Sequence, residues 1–246
     1  MRLTLAIVLI SINVFAQGPY APVADSIGTT AIHKDSSAFI DWSSACIIER
    51  GWKNITDITL GKTTTGDIYS ATEKSGVNGV VSLGDGGSAI LTFSSPIING
   101  NGPDFAVFEN AFNNTFLELA HVEVSSDGIN YFRFESSSLS QINSQIMYEV
   151  NATDIQTLAG KYRAQYGTPF DLEEMIGITN LDINNITHVK IIDVIGSINQ
   201  SYASYDSQGN IINDPFPTPY ETGGFDLDAI GVIHSFVGIE ESLNTF

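Results

Sequence analysis

Positive charge is what this sequence has least of. Ten Lys and Arg stand against 28 Asp and Glu, a formal net charge of −18. A surface this acidic repels phosphate backbones and anionic lipid, so nucleic acid is a poor candidate partner and so is an anionic membrane surface. Cysteine is nearly absent too. A lone Cys46 closes no intramolecular disulfide and builds no cysteine-based zinc site, and it is expected to be a small buried hydrophobe. The four histidines, His33, His121, His188 and His234, form no i,i+4 pair, which argues against zinc. No Gly-x-Ser-x-Gly nucleophile elbow occurs. Asp206-Ser207-Gln208-Gly209-Asn210 lacks the acidic spacing and the closing Glu of an EF-hand loop. Beyond the first residues no apolar run is long enough to span a bilayer. Only 15% of residues are charged, so solubility rests on Ser, Thr, Asn and Gly, a balance common in exported β-proteins.

What is present points to export and to β-structure. Residues 1–16 read as a secretory signal: Arg2 supplies the positive start, Leu3 to Val14 the apolar stretch, and Val14-Phe15-Ala16 a cleavage site before Gln17. Residues 17–236 then read as one domain with no internal repeat. Ser36 to Arg50 has Phe39, Trp42 and Ile47 near helical spacing behind a serine cap, which predicts a short helix. From Val80 the pattern is β, with strands expected at Ser88 to Phe93, Phe105 to Phe108, His121 to Ser125, Thr187 to Val194 and Phe225 to His234. Asp127-Gly128 turns a hairpin closed by Tyr131 to Phe134. Residues 136–185 break the pattern except for a short helix near Leu172 to Met175, and an excursion of that length is expected to be functional. Short strands between Gly and Pro turns predict an all-β, jelly-roll-like β-sandwich with a few short helices in loops.

Two stretches pair carboxylates with apolar strand: Gly102-Pro103-Asp104-Phe105-Ala106-Val107-Phe108-Glu109-Asn110 and Gly223-Gly224-Phe225-Asp226-Leu227-Asp228-Ala229-Ile230. A buried ionised carboxylate must be paired, hydrogen-bonded or metal-bound. Calcium takes six to eight oxygens, so Asp104, Glu109, Asp226 and Asp228 are the candidate ligands of a structural calcium ion. Simple alternation puts Asp226 and Asp228 on one face with Ile230 and Val232. The same acids also admit structural roles: Asp104 capping the turn after Pro103, Asp226 accepting backbone hydrogen bonds, Glu109 pairing with Arg163 or Lys190. Tyr162, Arg163, Tyr166 and Phe170, with Tyr202, Tyr205 and Tyr220, are candidates for a platform on which a sugar or another flat ligand stacks.

The stretches Ser26 to Phe39, Val80 to Phe93, Gly102 to Phe112, Phe116 to Phe134, Leu158 to Leu172, Thr187 to Gly196 and Asp206 to His234 resemble a family of secreted bacterial cell-surface proteins of poorly defined function. Phe225-Asp226-Leu227-Asp228-Ala229-Ile230 is similar to the closing strand of calcium-containing jelly-roll carbohydrate-binding modules, which implies a calcium ligand at Asp226 or Asp228. Gly238 to Phe246 resembles the linker before a sorting domain of the type IX secretion system of Bacteroidetes, so 237–246 is expected to lead to such a domain and the secretion machinery to be a partner. Export, the predicted architecture and the aromatic loop lead to the expectation of a secreted or surface-held binding module for a glycan or small nutrient. Two alternatives stand beside it. One is a glycoside hydrolase or lyase using Glu109 or Asp228 with a second acid. The other is an adhesion or surface-layer component.

Overall fold

The computed structural model describes residues 18–236. The expected signal segment and the expected linker at 237–246 lie outside the described residues. Thirteen strands carry the fold: β1 (Ile32–His33), β2 (Asp41–Trp42), β3 (Ala45–Glu49), β4 (Val81–Ser82), β5 (Ser88–Ile97), β6 (Phe105–Glu109), β7 (Ala120–Ser125), β8 (Phe132–Arg133), β9 (Ser137–Ser138), β10 (Ile155–Gln156), β11 (Tyr166–Phe170), β12 (Ile186–Asp193) and β13 (Asp226–Val232). Helical structure among the described residues amounts to three short 3-10 turns, one of them at Leu172–Met175 as the sequence predicts.

One main sheet runs β1-β11-β6-β13-β2, with β4 also on β13, the other runs β3-β5-β12-β7-β8, and β9 and β10 form a separate two-stranded ladder. Every pairing is antiparallel. From β5 to β7 and again from β11 to β13, successive strands go to opposite sheets. That wrapping is jelly-roll topology and matches the predicted class. Alternation sends one row of each strand between the sheets. On β12 the buried row is Ile186, Val189, Ile191 and Asp193, with half-buried residues in between. Leu91, Val122 and Ile191 meet Phe105, Val107, Leu227 and Ile230 in the shared core.

Strands β6 and β13 are buried on both faces. Their outer face is covered by Phe39 and Trp42, whose rings lie 5.5 and 5.3 Å from Phe108. The aromatic cover needs close backbone approach, since a Cβ at Gly231 would lie 2.6 Å from the Phe39 ring. The predicted helix over 36–50 is therefore not formed. Phe39 and Trp42 serve the first sheet through β2, whereas Cys46 enters the core through β3 in the second, and Ile47 is exposed. The helical spacing joined residues that belong to two sheets.

Residues 136–185 do not break the β pattern throughout, since Tyr166–Phe170 is β11, set between β1 and β6 in the main sheet, and the part before it builds a second small core. Ile146, Val150, Ala152, Ile155 and Leu158 pack on Ala111, Leu117, Leu119, Val194 and Ile212. This cluster caps the end of the sandwich where β6 stops and β7 starts, and it fixes the loops that carry the pocket described next.

Candidate functional site

A cavity of about 390 Å³ opens at that end of the sandwich, within the size range of small-molecule sites. Its lining comes from five segments, one of them Val80 just before β4. The loop after β6 gives Asn110, Phe112, Asn113, Phe116 and Glu118, the excursion gives Met147 and Tyr148, the stretch before β13 gives Pro217, Thr218, Tyr220 and Thr222, and β13 gives Asp226. Phe112, Tyr148 and Tyr220 are 84%, 67% and 67% exposed. Phe116 connects two of the walls, 6.4 Å from Phe112 and 5.7 Å from Tyr148 between ring centroids. Exposed aromatics gathered on one concavity are unusual for an ordinary surface and make this cavity the candidate site.

The polar end of the cavity is acidic. Glu118 is only 6% exposed, and its Oε1 is buried without a hydrogen-bond partner. Asp226 accepts a hydrogen bond from the Ser82 hydroxyl. Glu109 sits across the ladder from Leu227, with Oε2 accepting from the Ala111 amide at 2.7 Å. Further in, the Asp214 carboxylate accepts from the Leu119 amide at 2.8 Å. Asp193 accepts from the Phe225 and Gly86 amides at 2.8 and 2.9 Å, and Asp85 from the Ile55 amide at 2.7 Å. Burial pushes the carboxyls of Glu109, Glu118, Asp193 and Asp214 well above the usual range, and their mutual repulsion adds to it. Burial also raises Asp85 to about 7 and Asp226 to about 6. The ion pairs of the described residues use Asp25, Asp35, Asp104, Glu123 and Glu221, and none of these six acids.

The four acids read as calcium ligands divide between two ends of β6. Asp104, at its start, accepts from the Gly100 and Leu172 amides at 2.7 Å each and pairs with His234 at 2.7 Å. Five strand residues, roughly 17 Å at the rise of an extended chain, separate it from the Glu109 end. Asp228 lies at a break in the β6–β13 register and takes the Ser75 hydroxyl at 2.5 Å and the Gly76 amide at 2.9 Å. That break interrupts the simple alternation: Ile230 and Val232 join the inter-sheet core, whereas Ala229 packs with Phe108 on the outer face. Glu109 and Asp226 are thus the two brought together. Among the described residues no group of three or more His, Cys, Asp or Glu is set to hold a metal ion.

The expected stacking platform is mostly structural. Tyr162 is buried with its hydroxyl 2.7 Å from Thr30 Oγ1, and Phe170 stacks on Phe105 in the core. Arg163 and Tyr166 both grip Asp25, at 2.5 Å each, and so pin the N-terminal segment. Of the aromatics named from sequence, Tyr220 alone lines the cavity. Glu118, Phe112, Phe116 and Tyr148 were missed. The usable signal was in Phe112-Asn113-Asn114-Thr115-Phe116-Leu117-Glu118, a turn-forming stretch that spends two phenylalanines outside any strand pattern.

Comparison of the chain with protein-family models, with curated proteins and with solved structures yields no match. No helix among the described residues is long and apolar enough to cross a membrane. Fold and pocket together define a jelly-roll sandwich with one aromatic-walled, acid-ended cavity at its end.

Proposed function

We propose that the chain is an exported binding module that captures a glycan or small nutrient in this cavity. The observation that carries the reading is the buried, partnerless Glu118 oxygen at the end of a cavity walled by exposed rings. Flat faces bind the apolar side of a sugar or other flat ligand, while Asn110, Asn113, Thr218 and the acids meet its polar groups. Removing an exposed wall leaves the fold alone, so Tyr148→Ala and Phe112→Ala separate binding from stability. A thermal-shift and calorimetric screen against oligosaccharides is expected to give a ligand whose affinity drops about tenfold or more in Tyr148→Ala at unchanged melting temperature. A screen with no response, or a ligand indifferent to both substitutions, rejects the reading.

Calcium is part of the proposal in a reduced form. Glu109 and Asp226 are the two acids of the original set that are neighbours, and a cation there relieves their repulsion. Secretion is proposed on the leader at residues 1–16, and surface fractionation of the producing cells tests it. A hydrolase at the same cavity is favoured by one observation, that Glu118, a buried carboxyl raised by its burial, shares the lining with a second acid, Asp226. Oligosaccharide cleavage that disappears in Glu118→Gln decides for it.

A further inference from the structure

We infer that the cavity selects an organic cation, an amine or quaternary ammonium, over an uncharged ligand of the same shape. The inference rests on the binding reading of this cavity and names its ligand class. Three observations converge. Among the described residues no Lys, Arg or His lines the cavity to compete for its acids. Glu118 Oε1 is buried without a partner, and Asp226 shares the lining. Four rings, Phe112, Phe116, Tyr148 and Tyr220, stand in the lining, and the negative face of a ring attracts a positive charge most strongly where water is excluded. A neutral sugar uses the rings but leaves the Glu118 oxygen without a charge partner, whereas an alkylammonium group answers both.

An inorganic divalent cation answers only the acids. It needs several converging oxygens, and the described residues hold no group of three or more acids, His or Cys so placed. The rings would also contribute nothing to it. The organic cation is therefore the better occupant.

Charge coupling gives a second signature. The acids acting on Glu118 are Glu109 on β6, Asp226 on β13, Asp193 on β12 and Asp214 in the segment before β13, and all raise its carboxyl. A bound cation favours the ionised form, so binding releases a proton and affinity rises with pH until Glu118 ionises by itself.

The experiment is isothermal titration of the purified chain in EDTA buffer at pH 6 and pH 8 with choline, with its uncharged tert-butyl isostere, and with neutral oligosaccharides, followed by calcium chloride in EDTA-free buffer. The inference expects choline to bind, the isostere to bind at least about tenfold more weakly, and choline binding to be stronger at pH 8. Glu118→Gln should weaken choline about tenfold or more, and the surface variant Tyr148→Ala several-fold, which keeps the result readable if the buried variant fails to fold. Equal binding of choline and isostere overturns the inference, as does calcium displacing choline while Tyr148→Ala leaves choline binding intact. Oligosaccharide binding without choline binding overturns the inference and leaves the capture reading standing. No binding by any probe removes both.

Discussion

At the scale of single residues, the molecule's distinguishing feature is carboxylates without cations. Asp85 shows what this does to stability. It is buried, accepts one backbone amide, and has its carboxyl raised to about 7. Raised above the unfolded value, it stays protonated in the fold while the unfolded chain ionises. Between about pH 4 and pH 7 the native state binds more protons, so stability falls as pH rises through that window. Asp85→Asn keeps the acceptor and removes the ionisation. It is expected to be near neutral at pH 4, at the foot of that window, and stabilising at pH 8, by up to about 4 kcal/mol if the whole shift of roughly three units is recovered. Urea unfolding at the two pH values checks it, and equal effects at both would mean Asp85 is not held protonated. Sequence reading found the buried acids of β6 and β13 because a carboxylate inside an apolar strand is visible as a breach of pattern. Glu118, Asp193 and Asp214 were less legible as site neighbours because the fold, not their own strands, gathers them.

At the scale of elements, the main strands from β5 onward and the β7–β8 hairpin were read from the sequence, whereas β3 and β11 were not. β6, β7, β12 and β13 lie where period-two patterning puts them, because each has at least one face committed to the core. The helix over 36–50 failed since its apolar residues answer to two different sheets, a fact set by topology. The irregular cap over the sandwich end was illegible for a related reason: its small core draws on residues from 111 to 212, and no local period links them. Gly160 holds that cap to the strands. It sits at φ +80°, and a Cβ there would lie 1.9 Å from the carbonyl oxygen of Glu118. Gly160→Ala therefore adds both left-handed strain and a backbone clash, expected to cost about 2–4 kcal/mol. Because the clash falls on Glu118, ligand affinity should drop as well, by more than the drop in a variant of equal instability elsewhere. Gly209, also at positive φ but with nothing near its Cβ, supplies that control as Gly209→Ala. Equal affinity losses in the two would break the link between the cap and the cavity.

At the scale of the whole molecule, the −18 charge and the unpaired interior acids act together. The field concentrates cations around the chain and weakens as salt rises, so any cation reaching the acids has a favourable approach. In EDTA the chain has to hold these carboxyls as protons. Asp226 at about 6 and Asp85 at about 7 then make it lose stability from pH 5 to pH 8, because both are raised and both ionise within that span. Calcium acts oppositely, since it binds the ionised carboxylates and its affinity grows as protons leave. Thermal unfolding at pH 5 and pH 8, in EDTA and in millimolar calcium, distinguishes the two ways of neutralising the interior. The expected result in EDTA is a melting temperature several degrees lower at pH 8. If calcium holds Glu109 and Asp226, it restores those degrees at pH 8 and does little at pH 5, because a ligand at 100 times its Kd adds about 2.7 kcal/mol. Asp226→Asn should then abolish the calcium response while softening the pH dependence. A calcium effect of equal size at both pH values would place the ion on the exposed surface acids, and no calcium effect would mean that protons, not calcium, neutralise these carboxylates while the cavity is empty.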